Sequence, residues 1–269
     1  MQRLEQIAET YAWYHSVGNH VEEHALARYV RHVEHSDVWV ANHLSRVRAQ
    51  TPAEIEQVLR HADQLFAHCT HRMVMVDPLT PEAFVARMAL EDFRELTPTL
   101  QMVLEGSLKE SGARVELRPV VTDSEWQAMY ALVRANHIEG KSSHGLHFDD
   151  ELTRRMVAGY RAKATVAQFF CAFVEDAVCA YGCSVIGPHG LGIVEDLFTL
   201  PAYRKRGIAT AIIQHAVEHA RARGMGPMLI GPHVTEEPKK LYATLGFVPQ
   251  CITRPYLLET EEPHGGVPA

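Results

Sequence analysis

Residues 192–209 read GIVEDLFTLPAYRKRGIA, and two groups in that stretch are chemically out of place. Glu195 and Asp196 interrupt an apolar, strand-forming run, where a carboxylate is costly unless it is paired or put to use. An ion pair with Arg or Lys is one way to satisfy them, and proton transfer is another. Further on, Arg204, Lys205, Arg206, Gly207, Ile208 and Ala209 lead directly into a helical pattern. A helix start presents unpaired N–H groups and the positive end of the dipole, and a glycine lets the backbone approach an anion closely. A pyrophosphate fits such a place. A basic, solvated helix entry is the competing reading of the same six residues.

Elements that would position these groups are readable from residue 113 onward. ARVELRPV at 113–120 alternates as a strand, and 122–137 has a Thr or Asp cap and helical apolar spacing at Trp126, Met129, Tyr130 and Val133. A Gly, Ser and His loop is expected from Ile138, with a second helix at 149–161. Strands at 165–176 and 177–187 are joined by a tight acidic turn at Glu175 and Asp176, and a third follows at 191–201. A helix from Ile208 ends near Gly224, 227–232 is a short apolar strand, and 235–247 holds a short helix closed by Gly246. Two final strands are expected around FVPQCI and RPYLLE, and 261–269 reads as a disordered tail.

Composition narrows the function classes. A chain of 269 residues fits one or two domains, and no apolar run approaches the roughly 18 residues of a bilayer span. The start MQRLEQIAET lacks signal-peptide character, so a cytoplasmic location is expected, without membrane association. A net charge of −7 argues against a nucleic-acid partner. The five cysteines are odd in number and lack C-x-x-C spacing, and the 17 histidines include no H-E-x-x-H pair, so no metal site is expected.

Context then separates the two readings of the basic loop. R-x-x-G-x-A at Arg204, Gly207 and Ala209 follows a V-x-D-L-x-x-x-P strand at 194–201, and L-Y-x-x-x-G-F comes at 241–247. Together with the element order over 113–259, this resembles the GNAT superfamily of acyl-CoA-dependent N-acyltransferases. The resemblance implies an α/β (α+β) fold with a mixed central sheet flanked by helices. It also implies transfer of an acetyl group from acetyl-CoA, as co-substrate, to a primary amine by direct attack. Amides from about Arg206 to Thr210 would hold the CoA pyrophosphate, with Arg204, Lys205, Gly207, Ile208 and Ala209 in the same loop. Leu197, Phe198 and Thr199 match the bulged strand that pairs with pantetheine and offers an N–H to the developing oxyanion. Tyr242 matches the tyrosine that protonates the departing thiolate, a packing tyrosine being the other reading. Thr235 and Pro238 depart from the commoner N-x-x-A-x-x-L-Y form, which puts an asparagine contact to the donor in doubt.

An amine at neutral pH must lose a proton before it attacks, so a carboxylate or imidazole is needed nearby. Glu195 is the preferred base and Asp196 the alternative. On a regular strand Glu195 shares the face of Leu197 and Thr199, an assignment that a bulge would change. His137, His144, His147 and His233 are further candidates around an acceptor pocket, each more simply a bystander. The acceptor is expected to be a small-molecule or peptide amine, and a homodimer is possible. A non-catalytic acyl-CoA-binding sensor or interaction protein is the alternative function.

Residues 1–110 carry a second, fainter version of the pattern. A shift of 154 residues lays Pro78 on Pro232, VMVDP on MLIGP, Phe93 on Phe247 and MVLE at 102–105 on YLLE at 256–259, without a gap. The N-terminal copy is expected to be a smaller GNAT-like α/β domain with two strands over 25–47, a helix from Pro52, a strand at 73–76, a helix from Pro81 and a final hairpin. Its helix begins T-P-A-E, a capped start with Pro at the first position. Ala53 falls on Gly207 and Met88 on Tyr242, so it is not expected to bind CoA. A hinge at 106–112 would link it to the catalytic domain at 113–260, against which it would pack.

Overall fold

The computed structural model describes residues 2–108, 115–144 and 149–260. The expected hinge and the 261–269 tail fall wholly or partly outside them. The chain forms two compact units, one of Met1–Gln101, Pro232–Lys239 and Gln250–Ala269, the other of Met102–Gly231 and Lys240–Pro249.

In the first unit, helix α1 (Arg3–Ser16) precedes strands β1 (His20–Glu23), β2 (Arg28–Arg31) and β3 (His43–Ser45). Helix α2 (Pro52–Leu65), strand β4 (His71–Val76), helix α3 (Glu82–Leu90) and strands β5 (Arg94–Glu95) and β6 (Thr99–Leu104) follow. β1, β2 and β3 are antiparallel neighbours, and β3 runs parallel to β4. α2 forms where the sequence places a cap, a proline and an apolar stripe: Thr51 caps it, Pro52 opens it, and Ile55, Val58 and Ala62 are buried. They pack with Tyr29, Leu44, Phe66, Val74, Phe84 and Met88. β2 and β3 are the two strands expected over 25–47, and β1 stands ahead of them as an additional strand. β1 carries no apolar alternation to announce it, since its HVEE sequence is exposed or half-buried throughout.

In the second unit, strand β7 (Glu116–Pro119) is followed by helices α4 (Asp123–His144) and α5 (Asp150–Lys163). Strands β8 (Ala167–Val174), β9 (Ala177–Val185) and β10 (Gly192–Thr199) form an antiparallel meander with β7 at its edge. The acidic turn at Glu175 and Asp176 is tight, both residues having positive φ (49° and 64°). Helix α6 (Ile208–Arg221) leads to β11 (Met228–Ile230), which pairs parallel to β10. Helix α7 (Pro238–Leu245) precedes strand β12 (Val248–Glu259).

Two expectations fail here for identifiable reasons. α4 does not end at His137 but runs on to His144, through Gly140. A mid-helix glycine costs only about 1 kcal/mol, and Glu139 on the extension receives two hydrogen bonds from Arg204. The C-terminal hairpin is instead the single strand β12, and Pro255 lies within its ladder opposite Met75.

The compact units also cross the sequence halves. β12 pairs with β4 through Arg254–Glu259, and β5 pairs with β12. Residues 102–104 of β6 pair with β11 in the second unit. The final hairpin expected of the N-terminal copy gives way to pairing of β5 with β12 and of β6 with β11, and the limits 1–110 and 113–260 are not those of the compact units. Within that arrangement the order β-β-β-α-β-α recurs. The 154-residue shift carries α2 to within two residues of α6.

Candidate active site

β10 and β11 pair only over Gly192–Val194 with Met228–Ile230. From Glu195 to Thr199, β10 keeps β9 on one side, and among the described residues no strand pairing continues on the other. Backbone groups there face a parting between two parallel strands, where ligands of such sheets commonly bind.

The strand also breaks its own alternation. Glu195 stands opposite Cys183 and Phe198 opposite Tyr181, so Asp196 and Leu197 together oppose Gly182, and Asp196 takes a left-handed φ of 54°. Residues opposite each other share a face, so Glu195 lies with Cys183. Asp196 is on the same side, with the Cys183 Sγ 3.8 Å from its Oδ2. Leu197 goes to the other face, where it packs near Ile208 and Ile212 of α6. A Cβ on Gly182 would come within 3.0 Å of Leu197 and 2.7 Å of Ile212. The alternation expected to set Glu195 beside Leu197 and Thr199 is thus overturned. The extra residue brings both carboxylates to one side.

That side holds a titratable cluster around the buried Lys163 and Cys183, with Glu195, Asp196 and Tyr160 half-buried. Lys163, the last residue of α5, is only 8% exposed and carries its ammonium near Asp196 and Glu195. Burial lowers the pKa of this amine, and the two carboxylates and Cys183 oppose the shift. Glu195 is pushed up to about 8, first by burial and then by the charge of Asp196, with Lys163 pulling it back. Tyr160, one helical turn before Lys163, donates a hydrogen bond to Asp196, and burial plus that carboxylate raise its phenol well above the ordinary value. Asn136 of α4 donates to the Tyr181 hydroxyl at 3.1 Å, and the Tyr181 ring lies 5.9 Å from that of Phe198. One cation faces two acids, and Glu195 holds its proton to higher pH than an ordinary carboxylate does.

Beyond the strand, Lys205 (φ 62°) and Gly207 (φ 79°) take left-handed conformations at the head of α6. Gly207 is the N-cap, supplies no side-chain cap, and is followed by a first turn without an acid. The N–H groups from Ile208 to Thr210 have no partner one turn back and a positive dipole end behind them. Lys205 and Arg206 are exposed, and the Arg206 guanidinium sits 5.3 Å from the Tyr203 ring centre. Arg204 is differently employed. Its Nε donates to the Thr199 carbonyl at 2.9 Å, and its two terminal nitrogens fork onto Glu139 at 2.7 Å each. Thr199 has a buried hydroxyl with no hydrogen-bond partner. An uncapped amide cradle next to an orphaned hydroxyl and an open strand edge fits a diphosphate ester with an amide-bearing arm.

At the equivalent start of α2 the first unit fills the place itself. Thr51 accepts from the Glu54 N–H, and the Glu54 carboxylate accepts from the Gln50 and Thr51 N–H groups, both at 2.9 Å. Those hydrogen bonds hold the Glu54 pKa below its ordinary value. A carboxylate of the chain occupies the position an anion would take.

Tyr242 is buried in α7, its ring 6.4 Å from that of Phe247. His137 is a packing residue: it is buried, its Nδ1 lies 2.9 Å from the Thr153 hydroxyl, and burial pushes its pKa down to about 4. His233 bridges Thr99 in the first unit and lies 3.4 Å from Glu236. His147 is outside the described residues, and His144 is placed only as the end of α4. Sequence reasoning missed Lys163, Tyr160 and Cys183. Tyr160 and Lys163 at i, i+3 on α5 were a readable pair, but a lysine in the last turn of a helix is ordinary complementation of the dipole.

The Acetyltransferase (GNAT) family profile matches residues 126–247. No curated protein matches the sequence. Among solved structures, a GCN5-related N-acetyltransferase from Kribbella flavida is similar over 99% of this chain and 97% of its own, with TM-score 0.69 and 14% identity. A functionally unknown conserved protein from Staphylococcus epidermidis is similar over 91% and 96%, with TM-score 0.67 and 10% identity. A tandem GNAT protein from the clavulanic acid biosynthesis pathway is similar over 77% and 70%, with TM-score 0.55 and 13% identity. These likenesses are of fold. The bulged β10, the glycine-headed α6 and the match to the GNAT acetyltransferase family over residues 126–247 coincide in one stretch of a chain with the fold of GNAT proteins.

Proposed function

We propose that the second unit transfers the acetyl group of acetyl-CoA to a primary amine by direct attack, with no covalent enzyme intermediate. Acetyl-CoA would supply an activated thioester. The chain's own groups bind, orient and move protons. The amides of Arg206 to Thr210 hold the pyrophosphate, with Lys205 and Arg206 adding charge. The backbone of Leu197, Phe198 and Thr199 offers N–H and C=O groups to the pantetheine arm, and an N–H in this stretch polarises the acyl carbonyl. Glu195, with its raised pKa, takes the proton of the incoming ammonium. Asp196 and Lys163 set the charge state in which it does so. Tyr242 donates a proton to the leaving thiolate.

One observation carries this reading: α6 begins uncapped at Gly207 directly after the bulged strand, whereas α2 begins closed by Thr51 and Glu54. A helix of this kind folds with a side-chain cap. The bare start in the second unit is therefore better explained by an anion than by folding. The acceptor is proposed to be a small-molecule or peptide amine.

Titration of the full chain with acetyl-CoA, followed by thiol release with a panel of primary amines, tests the proposal. Binding at micromolar levels with amine-dependent release is expected. Gly207→Glu should abolish binding, since a side chain at that φ is strained by about 1–2 kcal/mol and its carboxylate takes the anion's place. Absence of binding would sink the donor assignment. Tight binding without product from any amine would replace the enzyme with a sensor.

A further inference from the structure

The first unit gathers imidazoles around one carboxylate, far in sequence from β10 and the start of α6. In the run HVEEH, His20, Glu22 and His24 occupy alternate positions, and alternate residues of an extended segment share a face. His61 of α2 meets that face. The His24 Nε2 and the His61 Nε2 each lie 3.7 Å from the same oxygen, Glu22 Oε2. The donor atoms of Glu22, His24 and His61 all fall within 4.8 Å of one another. No other group of His, Cys, Asp or Glu among the described residues does so.

The spacing is informative. At 3.7 Å an imidazole nitrogen and a carboxylate oxygen are too far apart for a direct hydrogen bond. Two donors at that separation subtend about 120° at an ion roughly 2.1 Å from each, near the angles of zinc coordination. His61 Nε2 is shielded from solvent and has no hydrogen-bond partner. The carboxylate is already oriented: its other oxygen, Oε1, faces Arg31 Nη2 at 3.7 Å and His20 Nε2 at 3.6 Å. Arg31 and His20 thus stand on the side of one oxygen, at electrostatic rather than hydrogen-bonding distance, while the second oxygen points between two imidazoles. Tyr29 walls the site, its ring centre 4.8 Å from His61 and 5.3 Å from His24. His24 is about half exposed, which leaves a path for an ion and for water.

We propose that Glu22, His24 and His61 form a binding site for a divalent transition-metal ion of the zinc class. Two imidazoles and a carboxylate select a borderline ion over calcium or magnesium, and three protein ligands leave a position for water. The ion would tie the extended His20–Glu23 segment to α2.

The test uses the full chain stripped with chelator and titrated with Zn2+ alone, then with Co2+ for its visible ligand-field bands. One site per chain is expected, with bands that report nitrogen and oxygen donors. His61→Ala and the near-isosteric Glu22→Gln should each weaken Zn2+ binding by at least about tenfold, and a control, His189→Ala in the second unit, should leave it unchanged. Zn2+ should also raise the thermal midpoint of the wild type and not of Glu22→Gln. Equal Zn2+ affinity in wild type and Glu22→Gln, or losses no larger than in the His189 control, would overturn the site.

Discussion

Replacing Lys163 by Met tests the titratable cluster most directly. Methionine keeps most of the apolar stem and removes the charge that faces Asp196 and Glu195. An opposite charge at close range moves a carboxylate pKa by about 1–3 units, which at about 1.4 kcal/mol per unit is roughly 1.4–4 kcal/mol. Without Lys163, Glu195 keeps its proton to still higher pH. A carboxyl whose folded pKa lies above its unfolded value contributes stability that is full below the unfolded pKa, near 4, and is lost as pH rises through the folded one. Lys163→Met should therefore match the wild type in urea unfolding at pH 5, apart from a pH-independent packing offset. It should fall progressively behind above about pH 8, where the wild-type Glu195 begins to lose its proton and the variant does not, by up to about 1.4 kcal/mol at pH 9. The acid limb of kcat/KM for acyl transfer should move alkaline by about 1–3 units, and Lys163→Arg should restore much of it. If both the stability difference and the rate profile are independent of pH, Lys163 does not hold the charge state of the pair and the reasoning fails.

Tyr242→Phe should lower kcat by about 10²-fold or more with little change in acetyl-CoA affinity, read by steady-state kinetics beside direct titration; equal loss of both would remove the acid role. Thr51→Ala opens the capping box of α2 and should cost about 1 kcal/mol in denaturant unfolding, while acetyl-CoA binding stays unchanged. A loss of binding there would place the donor in the wrong unit.

Much of the architecture was legible because it rests on local signals. Glycine at 207 and 246, the Thr-Pro start of α2, the acidic turn at 175–176 and the apolar periodicity of α6 each act within a few residues, and each appears where it was read. β1 was missed because an edge strand with polar alternation has no apolar face to show. The end of α4 was misplaced because Gly140 signals locally, while the Arg204 partner that holds Glu139 is 65 residues away.

The sequence by itself determined the local features on which the proposed donor site rests: a bare, glycine-headed helix start after a strand carrying two acids, set against an N-terminal helix that is capped. It could not decide where the acids point, since facing follows from register, and one extra residue opposite Gly182 reverses it. Only the tertiary structure placed Lys163 and Tyr160 against Asp196 and set two histidines, 37 residues apart in the chain, around Glu22. It also decided that β12 pairs with β4 while the end of β6 pairs with β11. Strand partners and buried charge networks are non-local. Their energies depend on groups brought together from distant parts of the chain, and no window of sequence contains both.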